Sequence, residues 1–83
     1  MNTFKVLKNS VATYVKDQYN ARLKTFIKDD EMNTYNLSIE FSNGRTYDYA
    51  FSQNLIDEKH IFISVVNAFK NADFIIRIIK RCK

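Results

Sequence analysis

The chain has 83 residues, 46% of them hydrophobic and 14% aromatic, and a formal net charge of +4. That describes one small domain, spanning 1–83, with a modest core. It excludes a disordered chain and a membrane span of about 20 apolar residues. A single histidine, a single cysteine (Cys82) and a single glycine exclude an internal disulfide, a conventional zinc site and a glycine-rich phosphate loop.

The charge is segregated. Residues 1–28 set six Lys or Arg against Asp17, residues 29–58 set seven acids against Arg45, and residues 59–83 set six bases against Asp73. An acidic centre therefore lies between basic flanks, a pattern that matches charges internally or steers a charged partner.

In chain order, Phe4, Leu7, Val11, Tyr14, Val15 and Gln18 or Tyr19 recur at three- and four-residue spacing, which predicts an amphipathic helix over about 3–18. Asn2 or Thr3 is its candidate cap. Its lysines are too few for a membrane-surface helix, so its apolar face belongs to the core. Residues 21–28 fit two readings. The helical period continues through Leu23, Phe26 and Ile27, while strand alternation places Leu23, Thr25 and Ile27 on one face. A break at Asn20 favours the strand. The polar run Asp29–Asn33 reads as a turn into a strand at 34–41.

The strongest local signal is Tyr35–Phe51, two alternating runs around Asn43-Gly44. A two-residue loop leaves neither face apolar. A three-residue loop, Ser42-Asn43-Gly44, sets Ile39 opposite Tyr47, Leu37 opposite Tyr49 and Tyr35 opposite Phe51. It gathers Asn36, Ser38, Glu40, Thr46, Asp48 and Ala50 on the other face. A one-residue slip reverses every side chain, so the apolar pattern selects the longer loop, with Gly44 left-handed in a bulge.

Beyond the hairpin, Asn54 precedes Leu55-Ile56 with Asp57 and Glu58 following. Ile61, Phe62, Val65, Val66, Phe69 and Ala72 then keep helical spacing, which predicts a helix over about 54–70 ending at a left-handed Asn71. Ile61–Val66 also has strand character. The run Phe74–Ile79 holds five large apolar residues in six and reads as a buried strand at about 73–81, or as a terminal helix if 61–66 is the strand. The fold class is α+β: N-terminal helix, antiparallel β-meander with the Asn-Gly hairpin at 35–51, a second helix and a C-terminal strand.

No catalytic constellation emerges. Ser64 lies four residues from His60, but no nucleophile elbow surrounds it. Asp29, Asp30 and Glu31 lack the alternating spacing of a calcium loop. The chain reads as a non-enzyme with no cofactor and no metal. Two binding features remain. One is the polar hairpin face, Asn36, Ser38, Glu40, Thr46 and Asp48, a surface for a protein partner. The other is the basic cluster Arg77, Lys80, Arg81 and Lys83, which suits phosphates or solubilises an apolar terminal strand. The tyrosines near bases suit base stacking, but the hairpin register assigns Tyr35, Tyr47 and Tyr49 to the core.

The helix–three strands–helix order, the strand–Asn-Gly–strand unit at 37–51 and the segment Ala68-Phe69-Lys70-Asn71 resemble small prophage-encoded anti-CRISPR proteins that inhibit Cas9. The likeness covers residues 1–71. Those inhibitors are strongly acidic mimics of DNA, whereas here only residues 29–58 are acidic. The resemblance implies a small protein that occupies a partner's surface, and no family binding residue is carried over. Nine each of Lys, Asn and Ile suit an AT-rich phage or mobile element. The same element order occurs in double-stranded-RNA-binding domains, but Asp57 and Glu58 stand where those carry a basic cluster.

The expected function is thus a non-catalytic interaction protein that binds and blocks a host protein or nucleoprotein complex in the cytoplasm. DNA or RNA binding through the basic ends is the alternative. No membrane is expected as a partner, and pairing of two copies through the apolar terminal strand is a further reading.

Overall fold

A computed structural model describes residues 3–81. Asn2 as a helix cap, Cys82 and Lys83 lie outside the described residues. The elements run α1 (Thr3–Tyr19), β1 (Ala21–Asp29), β2 (Thr34–Phe41), β3 (Thr46–Ser52), a 3₁₀ turn (Gln53–Leu55), α2 (Ile61–Phe69) and α3 (Asp73–Arg81). The three strands form one antiparallel sheet in the order β1-β2-β3. The helices cover one of its faces.

α1 forms where the sequence predicts it. Leu7, Val11, Val15 and Tyr19 make its buried stripe. Of the two candidates at its end, Tyr19 is buried and Gln18 is exposed. Asn20 ends the helix with φ of 52°, a left-handed conformation that Asn tolerates better than most residues. The chain then reverses into β1, so 21–28 is strand.

β1 departs from simple alternation. Leu23 pairs with Ile39 and Thr25 with Ser38, so Lys24 is the extra residue of a bulge. Leu23 and Phe26 have opposite parity, and the bulge lets both turn inward. Thr25 and Ile27 consequently face outward and Ile27 is 59% exposed, not a core partner of Leu23. The bulge and its lysine also blunt an exposed sheet edge.

The β2–β3 hairpin has the long-loop register: Tyr35 opposite Phe51, Leu37 opposite Tyr49, Ile39 opposite Tyr47. The Phe41 N–H donates to the Arg45 carbonyl at 2.8 Å, and the Gly44 N–H to the Phe41 carbonyl at 2.9 Å. Gly44 sits at φ of 86°, where a side chain is strained.

The C-terminal third differs from the expectation in three ways. The helix expected over 54–70 is a 3₁₀ turn, a loop and a later helix, because Ser52 rather than Asn54 caps the first turn and Asp57 then folds its own loop. Asn71 is not left-handed; only Asn20, Asn33 and Gly44 have positive φ among the described residues. The strand expected at 73–81 is α3. A buried central strand requires neighbours on both sides, and the meander supplies none; Ile76 is its one fully enclosed residue.

The core is continuous from α1 through the inner sheet face to α2 and Ile76. Phe69 is its hub, 5.1 Å from the Tyr14 ring and 5.5 Å from the Tyr49 ring. The Tyr49 hydroxyl donates to the Ala68 carbonyl at 2.6 Å, tying β3 to α2.

Candidate functional site

Among the described residues no helix lies on the outer face of the sheet, and three cross-strand rows cross it. Arg22 faces Glu40, which faces Thr46. Thr25 faces Ser38, which faces Asp48. Ile27 faces Asn36, which faces Ala50. All five residues expected on the polar hairpin face, Asn36, Ser38, Glu40, Thr46 and Asp48, are therefore brought together. The bulge adds Thr25 and Ile27, which plain alternation had placed differently.

The twisted face holds a shallow depression of about 510 Å³, lined by Thr25, Ile27, Asn36, Ser38, Asp48 and Ala50 among others. Polar Asn36 and Ser38 on the central strand run down its middle, and Ile27 on β1 and Ala50 on β3 flank Asn36 with apolar contact area. Glu40 is engaged by Arg22 at 2.6 Å. That hydrogen bond and the guanidinium charge hold the Glu40 carboxyl below the usual range.

Asp57, His60 and Ser64 do meet, but as a helix entrance. The Asp57 carboxylate accepts from the His60 Nδ1–H at 3.0 Å and from the Lys59 N–H at 3.0 Å. The hydrogen bond with His60, then that from Lys59, lowers the Asp57 pKa. The Ser64 hydroxyl donates to the His60 carbonyl and accepts from the Asp57 N–H, both at 2.9 Å. Its proton and lone pair are committed to backbone, so the trio lacks a serine poised for attack.

The acidic turn is likewise occupied by local bonds. Asp29 accepts from the Met32 N–H at 3.1 Å and Asp30 from Gln53 at 3.2 Å. Among the described residues, no group of three or more His, Cys, Asp or Glu is arranged to hold a metal ion.

The basic cluster is divided. Arg77 donates from Nε to Asp73 at 3.0 Å and lies over the Tyr19 ring at 5.3 Å. It is a tie between α3 and α1. Lys80 and Arg81 are exposed at the end of α3. The tyrosines belong to packing: Tyr19 and Tyr35 are buried, and Tyr14, Tyr47 and Tyr49 pack against the core.

One feature escaped the sequence reading. Phe62, Ile63 and Val66 on α2, and Phe74, Ile75 and Ile78 on α3, are exposed. Periodicity marks α2 as apolar on most sides and gives α3 a broad apolar face opposite Asp73, Arg77, Lys80 and Arg81, wider than one layer of core can cover, and that excess was the signal available.

No protein-family model, curated protein or solved structure matches the chain. Among the described residues, no helix is long and apolar enough to cross a membrane.

Proposed function

We propose that the chain is a non-catalytic interaction protein, encoded by a phage or mobile element, that binds and blocks a host nucleoprotein complex in the manner of anti-CRISPR inhibitors. The observation that carries this reading is the uncovered sheet face. It is framed by two strand pairings, with polar Asn36, Ser38 and Glu40 along its central strand and Ile27 and Ala50 on the strands either side. Side chains on strands are held in fixed register, which suits surface recognition. The test is DNA cleavage by Cas9–guide RNA complexes with excess protein, alongside a Ser38→Arg/Asp48→Arg variant. Inhibition by the native chain, lost in the variant, supports the reading; cleavage unaffected across a panel of such complexes refutes it.

The alternative, direct DNA or RNA binding, rests on Lys80 and Arg81, with Arg77 already engaged by Asp73. Mobility shifts that weaken steeply with salt would favour it.

A further inference from the structure

The outward sides of α2 and α3, on the helical layer, each carry an apolar stripe that neither helix covers for the other. Phe62, Ile63 and Val66 are spaced to share one face of α2, and Phe74, Ile75 and Ile78 repeat that spacing on α3. Each is between 38% and 74% exposed, with Phe74 the most open. Beside Phe62, a groove of about 280 Å³ between α1 and α2 is lined by Val6, Asn9, Ser10 and Thr13, and extends the apolar surface.

We infer that a second copy of this chain covers this surface, forming a twofold dimer through α2 and α3. Three observations point to a second copy. The first is area. Scaled from the roughly 150–250 Å² of an aromatic side chain, the two stripes together present on the order of 600 Å², at the upper end of the roughly 300–600 Å² of a lone protein's largest patch and near the roughly 800 Å² per partner of a standard interface.

The second is charge. Asp57 and Glu58 precede α2 with Lys59 beside them, a net acidic entrance, while Lys80 and Arg81 end α3. An isologous interface must complement itself, and antiparallel pairing brings the acidic start of one copy toward the basic end of the other. An anionic lipid surface has no use for the acids at the α2 entrance. Between the two ends the exposed polar positions are neutral Asn67 and Asn71 and the single cation Lys70.

The third is α3 itself. It has nine residues and one fully buried side chain, and it does not pack along α2. A helix of that length is not stable alone. Within the monomer its main ties are Tyr19 to Asp73 at 2.7 Å, and Asn43 to the Ile79 and Lys80 carbonyls at 3.3 and 3.2 Å. A second copy supplies the apolar cover its outer stripe lacks.

Sedimentation velocity of the full chain from low to high micromolar tests this. The expected result is a monomer–dimer equilibrium. Phe62→Ser and Phe74→Ser each weaken it by about tenfold or more, as interface aromatics do. Both positions are exposed, so the circular dichroism of the variants stays that of the native chain. Ile27→Ser, on the opposite sheet face, leaves the dimer unchanged. A monomer at every concentration overturns the inference. So does a dimer indifferent to both phenylalanine changes, or one lost with Ile27→Ser. A monomer that floats with phosphatidylserine vesicles assigns the face to lipid instead and equally overturns it.

Discussion

Replacing Asp73 tests the junction between α1 and α3. Tyr19 is fully buried and its hydroxyl donates to Asp73 Oδ1 at 2.7 Å. Asp73→Ala leaves that hydroxyl without its acceptor, at a cost of about 1–3 kcal/mol. The Arg77 pair is 43% and 39% exposed at its two side chains and screened by solvent, so its loss adds little. Removing an acid from the first turn of α3 adds roughly 0.3–1 kcal/mol. The total is about 1–4 kcal/mol, which for a chain of this size lowers the Tm by on the order of 5–30 °C. Tyr19→Phe removes the donor but leaves Asp73 with Arg77 and solvent, for about 1–2 kcal/mol. In the double variant no hydroxyl is stranded, so the two losses are less than additive by about 1–2 kcal/mol. Urea unfolding followed by circular dichroism measures all three. Additive losses, or an Asp73→Ala variant within about 0.5 kcal/mol of the native chain, would refute the assignment.

Gly44→Ala probes backbone strain alone, because a Cβ there meets nothing within 4 Å while φ is +86°. A loss of about 1 kcal/mol with an unchanged hairpin register is expected by urea unfolding and NMR cross-strand contacts. Asn43→Ala removes the side chain that donates to the last carbonyls of α3 and accepts from the Arg45 N–H at 2.9 Å, and faster amide exchange should appear near that helix end and in the hairpin turn. Alkali should destabilise the fold. Burial, then the hydrogen bond to Asp73, raises the Tyr19 pKa, so its contribution is intact below the ordinary tyrosine value near pH 10 and is lost above it. Tyr19→Phe should shallow that alkaline slope. On the acid side, the hydrogen bonds from Tyr19 and then Arg77 lower the Asp73 pKa. That contribution is full above about pH 4 and fades as the pH falls further, so Asp73→Asn should flatten the acid limb of a stability–pH profile.

The hairpin was legible because two independent patterns agreed. Asn43-Gly44 marked the turn, and only one register placed Tyr35, Leu37, Ile39 and Phe41 on one face with Tyr47, Tyr49 and Phe51. The same register delivered the polar outer face. β1 was half legible: its existence followed from the break at Asn20, but the bulge at Lys24 did not. A bulge resolves a conflict of parity between Leu23 and Phe26 that depends on what α1 presents opposite them, here Phe4, whose ring lies 5.5 Å from Phe26. The terminal segment misled because five apolar residues in six resemble an enclosed strand. The run is a helix with only Ile76 enclosed, since no open sheet position flanked by strands exists for it. The Arg77 tie was hidden as well, because Asp73 and Arg77 look like an ordinary surface pair until Tyr19 is placed beneath them.

The two proposed surfaces lie on opposite layers. The sheet's outer face bears Ser38, Asp48 and Ile27, and the helical layer bears Phe62 and Phe74. A dimer closed through the helices leaves both sheet faces open and pointing away from each other. Such a dimer is bivalent. Two weak contacts act together only where the target presents two sites within its span; each chain is 39 Å along its longest axis. On a target with one site, the second sheet face stays empty and dimerisation adds no affinity. Native mass spectrometry of the complex separates the cases: two targets per dimer, with Phe74→Ser giving one target per monomer at similar intrinsic affinity. One target per dimer, with binding abolished by Phe74→Ser, would place the recognition surface on the helices and remove it from the sheet.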